Sequence, residues 1–263
     1  MAAVVGMSGK GAPGVSLGMW CLFHCWPHPV LGVEADVSGG VWALRHGLTC
    51  EPGLASLAAS QGPLNLETAR EHAVRLGEHR HVVCAPREGV IVSSALTWMR
   101  DRLLAWPTTG DLLLDVGRVT PTAIADCAPL ARADAVVMFL RPWPEELGPA
   151  AHVLAETRKV LRPATTVHLV IIGTAPYSGP ETLEALHDLT EGRVNLRIGA
   201  VLPDDPAAAA QLRTGGKKAA KIAARWYGPL ARELAAATAH RMPTDTTTTV
   251  TATTTASTMR AGG

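Results

Sequence analysis

The sequence predicts an α/β protein: one doubly wound, mostly parallel sheet with helices on both faces, a three-layer sandwich. Three observations predict it. Short, continuous apolar runs alternate with longer amphipathic segments, the pattern of strands buried on both faces between crossover helices. A glycine-rich turn, Gly9 to Ser16, joins the first apolar run to the first helical one. Hydrophobic residues make up 47% of the 263-residue chain, enough to fill such a core.

The elements follow in order. Ala2 to Met7 reads as the first strand, and a helix runs from about Ser16 to Trp26, ended by Pro27 and Pro29. Val30 to Val33 is a second buried strand, finishing at Glu34-Ala35-Asp36. Gly39-Gly40 is a loop, and Val41 to His46 a short helix closed by Gly47. Leu54 to Ala59 and Glu67 to Leu76 read as helices, and His81 to Cys84 as a strand before Pro86. Ser93 to Leu104 is an amphipathic helix, and Asp111 to Asp115 a short buried strand with a carboxylate at each end. Thr120 to Leu130 is expected to be helical, Ala135 to Leu140 a strand, Glu145 to Val160 a helix, Val167 to Ile172 a strand and Glu181 to Leu189 a helix. Leu196 to Leu202 is the last strand, and Ala207 to Leu212 and Ala219 to Ala239 are the last helices. There is no internal repeat. Residues 1–240 form one domain on this reading. Residues 241–263, Thr-rich and without periodicity, read as a disordered tail.

Composition narrows the function classes. A formal net charge of +1 gives no global electrostatic reason to bind nucleic acid. Aromatics are scarce, two Tyr, two Phe and seven Trp, which argues against a stacking platform for single-stranded bases. No apolar run reaches the roughly 18 residues of a membrane span; Leu17 to Ala35 is interrupted by His24, Pro27, His28 and Pro29. Met1 to Met7 lacks a basic segment and does not read as a signal peptide. Five irregularly spaced Cys read as reduced thiols, and the expected location is cytoplasmic.

A glycine-rich turn between a strand and a helix has a physical use. Its backbone curls so that N–H groups point inward, and the helix N-terminus adds positive potential, so phosphates bind there. Lys10-Gly11-Ala12-Pro13-Gly14-Val15-Ser16 resembles the deviant Walker A motif, K-G-G-x-G-K-[ST], of the MinD/ParA family of P-loop NTPases. Three further segments agree in order. Val30 to Asp36 is similar to that family's V-L-x-x-D-x-D strand end, and Asp111 to Asp115 to its Walker B strand. Gly199 to Asp205 is similar to its G-x-x-P-x-D segment near the adenine pocket.

The resemblance covers residues 1 to 240 and implies roles. ATP or ADP with Mg²⁺ would be the cofactors, held by Gly9, Lys10, Gly11, Ala12, Pro13, Gly14, Val15 and Ser16, with Pro203 and Asp204 at the base. Lys10 matches the signature lysine that reaches a partner's phosphates across a homodimer. Ser16 matches the Mg²⁺-binding hydroxyl, and Asp115 the carboxylate that orients the metal through water. Asp36 matches the carboxylate that positions the attacking water. The implied function is an ATP-dependent dimerising switch that partitions or positions a cellular cargo.

The sequence departs from the family's pattern in four respects, one being Gly173-Thr174, which stands where many relatives carry Asn and bears on the choice of base. Val15 stands where the family has its general P-loop lysine, and an aliphatic side chain cannot neutralise β/γ-phosphate charge. Glu34 replaces the first aspartate of the second strand, and Pro13 removes one loop amide. Two readings remain: a slow dimer-dependent ATPase served by Lys10 alone, or a non-hydrolysing pseudo-ATPase scaffold that binds a partner ATPase or a secretion or conjugation apparatus. A dinucleotide-binding oxidoreductase ranks third. Gly9, Gly11 and Gly14 fit G-x-G-x-x-G and Glu34 sits where an acidic ribose contact would, but no redox site follows.

Other clusters read more simply. Cys21, His24, Cys25 and His28 have ligand-like spacing, but the aromatic and aliphatic residues between them mark a core helix. His72, His79 and His81, among Arg70, Arg75 and Arg80, read as a solvated helix face. No Ser or Cys sits in a nucleophile elbow. Lys217, Lys218, Lys221 and Arg225 form a basic cluster that would give a weak, salt-sensitive contact with DNA or membrane. The stripe Ile222, Trp226, Leu230 and Leu234 on the same segment reads as a face packed on the sheet.

Overall fold

The computed structural model describes residues 3–10, 14–60, 65–104 and 110–239. The expected tail, 241–263, lies outside them. The strands are β1 (Ala3–Ser8), β2 (Val30–Glu34), β3 (Val74–Arg75), β4 (Arg80–Val83), β5 (Asp111–Arg118), β6 (Ala135–Leu140), β7 (Thr166–Ile172) and β8 (Leu196–Leu202). They form one sheet in the order β3-β4-β2-β5-β1-β6-β7-β8. Every pairing is parallel except β3 with β4.

The helices are α1 (Val15–Cys25), α2 (Trp42–His46), α3 (Leu54–Ala59), α4 (Leu66–Glu71), α5 (Gly89–Leu104), α6 (Ala128–Arg132), α7 (Pro144–Val160), α8 (Gly179–Leu189), α9 (Pro206–Thr214), α10 (Gly216–Trp226) and α11 (Gly228–Ala239). Successive strand side chains point to opposite faces, and the sheet uses both. Val136, Met138 and Leu140 of β6 pack under α3 to α8, while Ala135, Val137 and Phe139 pack under α1, α2 and α9 to α11. The expected three-layer α/β sandwich is therefore the observed one.

β1 lies at the middle of the sheet. Its neighbours β5 and β6 follow one another in the chain yet flank it on opposite sides. That is the topological switch point, where the C-terminal strand ends open a crevice in folds of this kind. α1 starts there.

The structure corrects three expected elements. The helix expected over Glu67 to Leu76 ends at Glu71; Val74 and Arg75 instead pair antiparallel with Val82 and His81. Gly77, at φ 93°, reverses the chain, and the Leu76 amide donates to the Arg80 carbonyl at 2.8 Å. Edge pairing outweighs helix propensity. His72 consequently caps α4, His81 is in β4, and the expected helix face of histidines does not exist. Thr120 to Leu130 is a 3₁₀ turn over Pro121–Asp126 followed by α6, because Pro129 has no amide to continue a helix through Cys127. Ala219 to Ala239 is two helices, not one. Pro229 cannot donate to the Arg225 carbonyl, so the chain breaks at Tyr227 and restarts as α11.

Candidate functional site

The expected phosphate loop begins at the end of β1. Gly9 is buried against Pro149 and Ala150 of α7. Lys10 is exposed, and its Nζ donates to the Glu145 carbonyl at 3.1 Å. Gly11, Ala12 and Pro13 lie outside the described residues. Gly14 is the N-cap of α1 in the left-handed region, φ 80° and ψ 39°, a conformation glycine adopts without steric cost. Its carbonyl accepts the Gly18 amide at 2.8 Å, which starts the helix.

Val15 is 6% exposed and belongs to the apolar cluster under α1. Ser16 is half-buried, with its hydroxyl beside the Asp115 carboxyl and its carbonyl accepting from Trp42 Nε1 at 2.9 Å. The Trp42 bond ties the start of α1 to α2.

Asp115 ends up deep in the sheet edge, fully buried. Its Oδ1 accepts the Gly117 amide at 3.1 Å; its Oδ2 has no hydrogen-bond partner among the described residues. Burial pushes its pKa up to about 7, Ser16 opposes the rise, and the carboxylates of Glu34 and Asp36 add to it. An orphaned buried carboxylate oxygen beside a hydroxyl is a donor set suited to a hydrated divalent cation. Asp36 reaches the same place from the end of β2. Its Oδ1 accepts the Ser38 amide at 2.8 Å, and a Cβ on Gly117 would fall 2.0 Å from its Oδ2, so only glycine fits there.

These groups surround a cleft of about 290 Å³. Ser8, Gly14, Ser16, Asp36, Gly117 and three arginines, Arg45, Arg118 and Arg213, line it. A second cleft, of about 190 Å³, adjoins it through Gly14, Leu17 and Arg213 and carries Pro203 and Asp204, with Trp226 and Arg141. The expected phosphate and base segments, nearly two hundred residues apart in sequence, thus meet. Asp205, next in that segment, is committed to capping α9 through the Ala208 amide at 2.9 Å.

Glu34 is structural. Fully buried, it accepts the amides of Trp42 at 2.8 Å and Ala85 at 3.1 Å, and that of Val41. Both oxygens are used, so no ribose hydroxyl competes for them, and the oxidoreductase reading loses its acidic contact. Sequence reasoning missed the three arginines. They come from α2, β5 and α9, and no spacing connects them; Arg118, three residues past Asp115, is the one with a local cue.

The remaining candidates disperse. Cys21 is buried in α1, and burial raises its thiol pKa; among the described residues no group of three or more His, Cys, Asp and Glu is placed to hold a metal ion. Lys217, Lys218, Lys221 and Arg225 are exposed on α10. Leu230 and Leu234 are buried in the core on α1's side of the sheet, with Ile222 and Trp226 half-buried at its margin. No helix among the described residues is long and apolar enough to cross a membrane.

Sheet order, layers and a crevice at the start of α1 define a P-loop-type α/β fold of the MinD/ParA kind. Solved structures agree. The cell-division ATPase MinD of Pyrococcus furiosus superposes with a TM-score of 0.64 at 18% identity, over 90% of this chain and 99% of that one. MinD of Pyrococcus horikoshii, complexed with Mg-ADP, gives 0.61 at 15%, over 89% and 96%. A ParA-family ATPase of Chlorobium tepidum gives 0.64 at 14%, over 89% and 99%. No family model and no curated protein matches the chain. At these identities the likeness is one of fold.

Proposed function

We propose that this chain is a MinD/ParA-like nucleotide-binding protein, an ATP-dependent dimerising switch that partitions or positions a cellular cargo, with weak or absent hydrolysis. One observation carries the reading. At the sheet's switch point, a cleft lined by Gly14, Ser16 and Asp36 has buried Asp115 directly behind Ser16, and it adjoins a second cleft at Pro203 and Asp204. ATP or ADP fits the pair. The Ser16 hydroxyl would ligate Mg²⁺ and Asp115 would orient it through water, and the bound metal would neutralise phosphate charge. Asp36 would position water. The structure with Mg-ADP among the similar folds supports that assignment of ligand. A homodimer would place Lys10 at the partner's site, and the cytoplasm is the expected compartment. Lys217, Lys218, Lys221 and Arg225 would add at most a weak contact with DNA or membrane.

Val15 favours a second reading. Buried among apolar side chains, it offers no charge to a phosphate, as expected of a pseudo-ATPase scaffold that keeps the fold and binds a protein partner. Thermal shift separates the two readings. Stabilisation by Mg-ATP and Mg-ADP but not NAD supports the switch, whereas no shift with any nucleotide leaves the scaffold. Hydrolysis is then read from phosphate release by wild type and Lys10→Ala.

A further inference from the structure

The cleft at the start of α1 holds more positive charge than its loop sequence supplies. Arg45 reaches it from the last turn of α2, Arg118 from the end of β5 and Arg213 from the last turn of α9. Among the described residues, none of their three guanidinium groups takes part in a hydrogen bond or ion pair. Arginines elsewhere do: Arg162 with Asp134, Arg193 with Glu191, Arg197 with Glu233. Burial and the nearby Arg213 hold Arg45 below its ordinary pKa, with Glu34 and Asp115 opposing.

Among the described residues, none of the neighbouring acids forms an ion pair with the cluster. Glu34 spends its oxygens on backbone amides, and Asp36 spends one on the Ser38 amide. Like charges gathered without partners repel, and an anion in the cleft relieves that repulsion.

We propose that Arg213, with Arg45 and Arg118, supplies the cationic grip on the nucleotide's phosphate chain that Val15 cannot supply. This rests on the nucleotide-binding reading above and deepens it. Arg213 is the central member, because it lines both the phosphate cleft and the cleft of Pro203 and Asp204. Asp205 caps the N-terminus of α9 and Arg213 sits in its last turn, so one helix joins base and phosphate recognition. A guanidinium presents a planar fork of donors that matches phosphate oxygens, and it stays charged near other cations. The grip thus comes from the cover of the site rather than from its loop.

Isothermal titration calorimetry on the full chain tests this with four ligands: Mg-ATP, Mg-ADP, adenosine and inorganic tripolyphosphate. Arg213→Ala is expected to weaken Mg-ATP and tripolyphosphate by about tenfold to a hundredfold and to leave adenosine unchanged. Arg213→Lys should recover part of the loss. Val15→Lys in the Arg213→Ala background should also recover affinity, since a lysine stem can lie in the apolar site with its head in the cleft. Arg213 is exposed, so these variants should keep the wild-type circular dichroism spectrum. If wild type binds Mg-ATP while Arg213→Ala and a variant with Arg45, Arg118 and Arg213 all replaced by alanine bind it equally well, the arginine proposal is overturned and the nucleotide reading stands. If wild type binds tripolyphosphate in an arginine-dependent way but neither nucleotide nor adenosine, the nucleotide reading fails and the anion grip stands. Binding of no ligand by wild type overturns both.

Discussion

Two carboxylates face one another on adjacent strands of the sheet, Glu34 at the end of β2 and Asp115 within β5, paired in register and both fully buried. Their surroundings are opposite. Glu34 is saturated by three backbone amides that dock α2 and the Ala85 segment onto the strand end. Asp115 keeps one oxygen without a hydrogen-bond partner, and the Ser16 hydroxyl beside it lines a cleft together with three arginines. Buried polar groups are satisfied nearly everywhere in folded proteins, so the exception marks where an absent group belongs. Another of the five such buried atoms among the described residues qualifies this. The buried Nδ1 of His168 also has no hydrogen-bond partner, yet that ring lies between β7 and α11. An orphaned atom becomes a site only with a cleft and complementary groups around it.

Removing the saturated member should break the comparison most severely. Glu34→Ala would strand three amides in the interior and is expected to cost about 4 kcal/mol, read by urea denaturation. A loss near zero would show that α2 is held by other contacts.

Acid should probe His168 next. Burial, with Arg197, lowers its pKa from 6.5 to about 4, so folding favours the neutral ring. Its contribution is present above the unfolded value and disappears as pH falls from 6.5 toward 4, about 2 kcal/mol of it by pH 5. His168→Gln should flatten that part of the stability-pH curve. His24 and His46, also lowered to about 4, would retain their share.

Asp115→Asn should act in the opposite sense to Glu34→Ala. Removing an incompletely partnered buried charge is expected to stabilise the ligand-free protein by about 1.5 kcal/mol while abolishing Mg²⁺-dependent stabilisation by nucleotide, both visible in thermal melts. Destabilisation of the ligand-free form would place Asp115 with Glu34 as architecture. The smallest expected effect is at the link between the two regions. Trp42→Phe removes the bond to the Ser16 carbonyl, costs about 1 kcal/mol and should raise amide exchange at the start of α1.

Much of the fold was legible in the chain. β6 and β8 fall where continuous apolar runs place them, and α3 matches its expected bounds. Helix interruptions were less so. Pro129 and Pro229 were present to be read, but apolar periodicity on either side of each masked the lost amide. β3 was hidden because a two-residue edge strand has no period of its own and exists only by pairing with β4. Ordered motifs nominate Ser16, Asp36, Asp115, Pro203 and Asp204, which the fold brings to two adjoining clefts or directly beside them, whereas no motif nominates Arg45, Arg118 and Arg213. Their proximity depends on how α2 and α9 pack together beside the end of β5.

Hydrophobic spacing and the glycine-rich turn determined the α/β class, the strand sequence and the end of the sheet where a ligand would sit. These are local properties, set by side-chain period and backbone freedom. Tertiary structure alone decided which of two paired buried acids is saturated by amides and which keeps an unpartnered oxygen, and which cations share a cleft with Val15. Both depend on partners brought from distant segments, and no local pattern records whether a buried group has been satisfied.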